Sequence, residues 1–165
     1  MANGFPVAMV AGKSEMMEIM EDGTVMHGGT VNTNVMCMAA ADICLRALME
    51  DDRSVYKRLE NSGSKLINGI KERSLKHGIE LEVTGPGPFL DVSFANEREI
   101  PGYDGLRVNK ERALYDEFCI GMLQQGIRLM KGGIGGGSWF VSTAHTDEQI
   151  EKTLDAVDTT LESMR

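Results

Sequence analysis

Apolar and polar residues along this chain fall into blocks with distinct periods. Pro6 to Ala11 (PVAMVA) is a short apolar run ending at Gly12, the pattern of a buried strand. Ser14 is placed to cap a helix over EMMEIM, with Met17, Ile19 and Met20 on its apolar side, and Asp22-Gly23 turns the chain. Met26 to Asn34 is too polar and glycine-rich for an element interior and reads as a loop. Val35 to Met49 is apolar on nearly every face, so a helix there must be packed on several sides.

A second unit begins at Asp51, where two aspartates precede a helical stripe of Val55, Leu59, Leu66, Ile67 and Ile70, stopped by Gly78. Ile79 to Val83 and Phe89 to Phe94 alternate as strands do, around Gly85-Pro-Gly-Pro88. Ala95 to Val108 reads as a long surface loop. Asn109 can cap a helix through Gln125, with Leu114, Phe118 and Met122 on one stripe and Gly126 ending it. Ile127 to Met130 and Ser138 to Thr143 read as strands. Thr146-x-x-Gln149 is a capping-box signature opening a last helix striped by Ile150, Leu154, Val157, Leu161 and Met164. The expectation is a mixed α/β chain whose later two-thirds is a small, largely antiparallel sheet covered by helices.

The 165 residues are 42% hydrophobic and carry a net charge of -8, with no Lys/Arg-rich run. The charge argues against nucleic acid as a partner. No stretch approaches the roughly 18–20 apolar residues of a membrane span, so a soluble, cytoplasmic protein is expected. Cys37, Cys44 and Cys119 show neither a disulfide pattern nor metal-ligand spacing, and the twelve methionines suit an adaptable core.

Few motifs can carry chemistry. Gly132 to Gly137 contains no G-K-[ST] and is followed by a strand where a dinucleotide or phosphate loop needs a helix, so it reads as a flexible hairpin-like connection. His27, His77 and His145 have no metal-ligand spacing, and no G-x-S-x-G is present. His27-Gly28-Gly29-Thr30 stands shortly before a helix start, where unpaired amides favour an anion. It is therefore either a phosphate site or an ordinary glycine-rich turn.

Four segments in order carry a family resemblance: Asn3 to Gly12, Gly29-Thr-Val-Asn-Thr-Asn34 running into Met38-Ala-Ala, Gly121 to Leu129, and Ser142-Thr-Ala-His-Thr146. They resemble class III pyridoxal-phosphate-dependent aminotransferases, particularly the glutamate-1-semialdehyde 2,1-aminomutase type, and cover essentially the whole chain. The resemblance implies the C-terminal portion of a fold-type I enzyme. Residues 1–48 would be the end of the large cofactor domain, its last strand and helices, and residues 49–165 the small C-terminal domain. It also implies pyridoxal 5'-phosphate as cofactor, with Gly29 and Thr30 binding the cofactor phosphate of the partner subunit in a homodimer.

By the family spacing, the lysine that carries the cofactor would fall two residues before Met1, and the aspartate that pairs with the pyridinium nitrogen lies further upstream. Lys13 sits on the far side of the expected strand and does not replace the lysine. The resemblance thus assigns no catalytic residue and no metal ligand to this chain and implies inactivity in isolation. Two other readings stand beside it: one half of a split enzyme paired with a separate N-terminal chain, and a non-catalytic interaction domain. Val35, where the family often has proline, and the glycines after Lys131 are departures that leave the substrate open.

Overall fold

The computed structural model describes residues 1–94, 112–131 and 136–164. The chain divides into two compact units, Met1–Val55 and Tyr56–Arg165.

In the first unit, α1 spans Ser14–Glu21 and α2 begins at Val35. Ser14 does not cap α1: the N-cap is Lys13, which makes no side-chain cap bond, because Ser14 itself already lies inside the first turn. Gly23, at φ +78°, makes the expected turn after the helix. Pro6 to Ala11 forms no strand. A strand exists only in a hydrogen-bonded ladder, and all three strands among the described residues belong to the other unit, so this run stays unladdered, with Met9 and Val10 exposed. The apolar first part of α2 is likewise open. Cys37 and Ala41 are buried, but Val35 and Ile43 are 79% and 67% exposed, so the helix is not packed on several sides as expected. The first unit alone has too little chain to cover it.

α2 spans Val35–His77 but is broken at Glu50–Arg53, where Asp51, Asp52 and Arg53 take left-handed backbone angles. The break falls where the two aspartates were expected to open a new helix. The helix then ends at Gly78, at φ +67°.

In the second unit, β1 is Leu81–Thr84, β2 Phe89–Phe94 and β3 Gly136–Phe140. They form an antiparallel sheet in the order β1-β2-β3, with Val83 opposite Val92 and Leu90 opposite Trp139. Alternation sends Leu81, Val83, Leu90 and Val92 to one face, where they are buried. That face meets α2 through Leu66 and Ile70, α3 (Arg112–Gln124) through Tyr115, Phe118 and Met122, and α4 (Asp147–Ser163) through Ile150, Leu154, Val157 and Leu161. Leu114, expected on the α3 stripe, is 42% exposed because Tyr115 takes the inward position. The Tyr115 hydroxyl accepts from Trp139 Nε1 at 3.2 Å and donates to the Met130 carbonyl at 3.3 Å. Its burial raises the phenol well above the ordinary tyrosine value.

Ile127 to Met130, expected as a strand, pairs with no strand among the described residues. β3 starts two residues earlier than expected, because Gly136 and Gly137 enter the ladder opposite Ser93 and Val92, and ends at Phe140, before the Ser142–His145 turn. The expected loop at 95–108, the cap at Asn109 and Gly132 to Gly135 lie outside the described residues. Among the described residues no helix is long and apolar enough to cross a membrane.

Candidate cofactor-phosphate loop

The loop that carries Gly29 and Thr30 is shaped by local hydrogen bonds. Asn32 N–H donates to the Gly29 carbonyl at 3.0 Å, closing a four-residue turn with Thr30 and Val31 at its centre. Asn34 N–H donates to the Val31 carbonyl at 3.2 Å, closing a second, overlapping turn in which Thr33, at φ +54°, takes the left-handed conformation. The Asn34 side chain then accepts from Cys37 N–H at 3.2 Å and its carbonyl accepts from Met38 N–H at 2.9 Å, so Asn34 is the N-cap of α2. Sequence reasoning placed Asn34 at the end of the loop without giving it this role. The -x-Asn-x-x-Cys- spacing ahead of an apolar helix was the available signal.

Two consequences follow for Thr30. It sits at the apex of a turn and is exposed, and its hydroxyl has no hydrogen-bond partner among the described residues. The backbone N–H groups of Gly28, Gly29 and Thr30 are not used by the turn either. Glycines at 28 and 29 leave these amides unscreened: a Cβ at Gly28 would meet nothing, and one at Gly29 would meet only the Asn32 side chain. The donors suit a phosphate dianion, which accepts several N–H and O–H bonds. Their openness also shows that nothing else in the first unit closes over them.

No group of three or more His, Cys, Asp or Glu side chains that could hold a metal ion occurs among the described residues. Lys13, in the turn that starts α1, is exposed. His77 is buried at the end of α2, where its Nε2 and Lys76 Nζ both meet the Asp158 carboxylate at 2.7–2.9 Å. These bonds hold the Asp158 carboxyl below the ordinary aspartate value, the Lys76 bond contributing most and the His77 bond next. The cluster is a tie between α2 and α4.

Among known proteins, the chain is 32% identical to the glutamate-1-semialdehyde 2,1-aminomutase of Chloroflexus aggregans, matching 94% of this chain and 36% of that protein. It is 34% identical to the enzyme of that name from Thermus thermophilus, over 95% of this chain and 36% of that protein. The fold is shared with an omega-transaminase from Sphaerobacter thermophilus, at a TM-score of 0.75 and 24% identity over 98% of this chain and 36% of that one. It is also shared with the FumI protein of Sphingopyxis sp. MTA144 in its PLP internal aldimine form, at a TM-score of 0.76 and 24% identity over 99% of this chain and 34% of that one. No protein-family model matches. The chain is a relative of the glutamate-1-semialdehyde 2,1-aminomutases, spans about a third of their length, and has the mixed helix-and-strand fold of part of a fold-type I PLP transaminase.

Proposed function

We propose that these residues are the C-terminal part of a pyridoxal-phosphate-dependent aminotransferase of the glutamate-1-semialdehyde aminomutase type, acting as a cytoplasmic homodimer. In it, Gly29 and Thr30 hold the cofactor phosphate of the partner subunit. The observation that carries this reading is the Thr30 hydroxyl, exposed and unpartnered at the apex of a turn four residues before the Asn34 cap, in a chain whose relatives are aminomutases. Pyridoxal phosphate, when bound, supplies an electron sink for bonds broken at a substrate amine carbon.

The residues here do other work. The Thr30 hydroxyl and the adjoining backbone N–H groups orient the phosphate, and Asn34 fixes the loop to the start of α2. No residue of this chain is assigned a proton transfer, and the 165 residues taken alone are inactive under this reading. The exposed apolar residues Val35, Met36, Ile43 and Met49 support an associated rather than a monomeric state.

The test is a graft. These residues replace the matching third of the Thermus thermophilus aminomutase, and the cofactor retained through dialysis is measured. The graft retains it. Thr30→Ala weakens retention by about tenfold, as expected for one lost bond to a dianion, while Thr30→Ser keeps most of it. Equal retention by Thr30→Ala would remove the phosphate role.

A further inference from the structure

The second unit contains a cleft of about 350 Å³ that the proposed cofactor role does not use. Its size falls in the range of small-molecule sites. One wall is the first turns of the second half of α2, with Arg58, Asn61 and Ser62. The other is the segment between β3 and α4, with Ser142, Thr143 and His145.

The sequence explains why Arg58 is available there. In an acid-rich chain, the helix positions three and four away from it are Ser54, Val55, Asn61 and Ser62, none of them a carboxylate. The structure adds none from elsewhere: Arg58 makes no ion pair among the described residues. Asn61 and Ser62 share its helical face, so three hydrogen-bonding side chains enter the cleft together. Asp147 is the one acid in the lining, and Lys65 stands 3.9 Å from it.

The opposite wall is held in shape. Ser142 N–H donates to His145 Nδ1 at 3.0 Å, His145 N–H donates to the Ser142 carbonyl at 3.1 Å, and Ala144 N–H donates to Ser142 Oγ at 3.3 Å. A backbone N–H cannot accept, so the shorter of the Nδ1 contacts favours a ring proton at Nε2, while Nδ1 also lies 3.1 Å from Ser142 Oγ and 3.3 Å from the Ser142 carbonyl. At the start of α4 the capping box already occupies the Thr146 and Gln149 N–H groups. The cleft thus sets the Arg58 guanidinium, which has no ion-pair partner among the described residues, opposite the His145 imidazole and several hydroxyls, with Asp147 the one carboxylate in its lining. Such a donor set matches an oxyanion.

We infer that this cleft binds a small oxyanionic metabolite group, a phosphate monoester or a carboxylate, gripped by Arg58 and His145. The inference does not depend on the proposed cofactor role, since Thr30 lies in the other unit.

The test titrates the 165-residue chain separately with inorganic phosphate and with acetate, following backbone amide resonances. One of the two gives saturable shifts at Ser142, Thr143 and His145, and which one does so identifies the ligand class. Arg58→Gln weakens that binding by roughly tenfold or more, Arg58→Lys by less, and Thr30→Ala leaves it unchanged. Arg58→Lys keeps the test valid should the glutamine variant fold poorly. Shifts that do not saturate for either ion, or saturable binding that survives Arg58→Gln unchanged, would overturn the inference.

Discussion

Replacing Gly63 with alanine tests the packing of the second unit, because two general effects oppose each other there. In a helix interior, glycine to alanine ordinarily stabilises by about 1 kcal/mol. Here a Cβ at Gly63 would lie 1.9 Å from the Gly87 carbonyl oxygen and 2.7 Å from Gly87 Cα. These are backbone atoms of the turn joining β1 to β2, so no side chain can rotate away, and the turn must retreat by more than an ångström. The turn is tied by Phe89 N–H to the Pro86 carbonyl and by Val141 N–H to the Pro88 carbonyl, both at 2.8 Å. Overpacking costs about 1–3 kcal/mol and a lost hydrogen bond about 1, which outweighs the helix gain. The net expectation is a loss of about 2 kcal/mol, or roughly 5–10 °C in midpoint. The chain has a single tryptophan, Trp139, buried in this unit, so its fluorescence during thermal or urea unfolding reads the effect directly. Asn68→Ala, exposed on the same helix, is the control and should stabilise by a few tenths of a kcal/mol. Should Gly63→Ala stabilise as Asn68→Ala does, the turn does not pack on α2 and the reasoning fails.

Two further outcomes are expected. Tyr115→Phe leaves the Trp139 indole N–H buried without its acceptor, lowering stability by about 1–3 kcal/mol and shifting tryptophan emission. Unfolding curves of the parent chain would have to show no advantage over this variant for the bond to be dismissed. Asp158 has a depressed folded-state pKa, so it binds fewer protons folded than unfolded below neutrality. Its contribution is present above the ordinary aspartate range and is lost as the pH falls through the lower folded value. Asp158→Asn should therefore be less stable than the parent at pH 7, with the gap closing in the acid range below about pH 4. A gap constant with pH would refute the tie to Lys76 and His77.

The sequence made some elements legible and hid others for identifiable reasons. The α4 stripe and its capping box could be read because both are local: Thr146 and Gln149 bond each other, and Ile150, Leu154, Val157 and Leu161 recur at helical spacing. Gly23, Gly78 and Gly126 marked turns or helix ends through positive φ angles that glycine adopts freely. Pro6 to Ala11 and Ile127 to Met130 have strand composition, but a strand is completed by its neighbours, and composition cannot supply a ladder partner. Tyr115 displaced Leu114 because its hydroxyl links Trp139 and Met130, a contact across 24 and 15 residues that no periodicity reveals. At the candidate site, Gly29 and Thr30 were visible as a weak anion motif and gained weight from the ordered family segments. The turn that lifts Thr30 into the open, and the Asn34 cap behind it, emerged only with the hydrogen bonds. Arg58 was not singled out, and His145 entered only as an isolated histidine and as part of a family segment, because the cleft joins residues more than 80 positions apart.

The claim that this chain contributes a phosphate-holding loop but no cofactor-carrying lysine is tested most directly by borohydride trapping. The 165-residue chain is mixed with pyridoxal 5'-phosphate, its absorbance recorded in the near-ultraviolet and visible, and the sample reduced and measured by intact mass. The account predicts no site-specific adduct, with only scattered labelling of exposed lysines that rises without saturation. A single saturating adduct on one lysine, Lys13 or any other, would contradict it and place the amine chemistry within these residues.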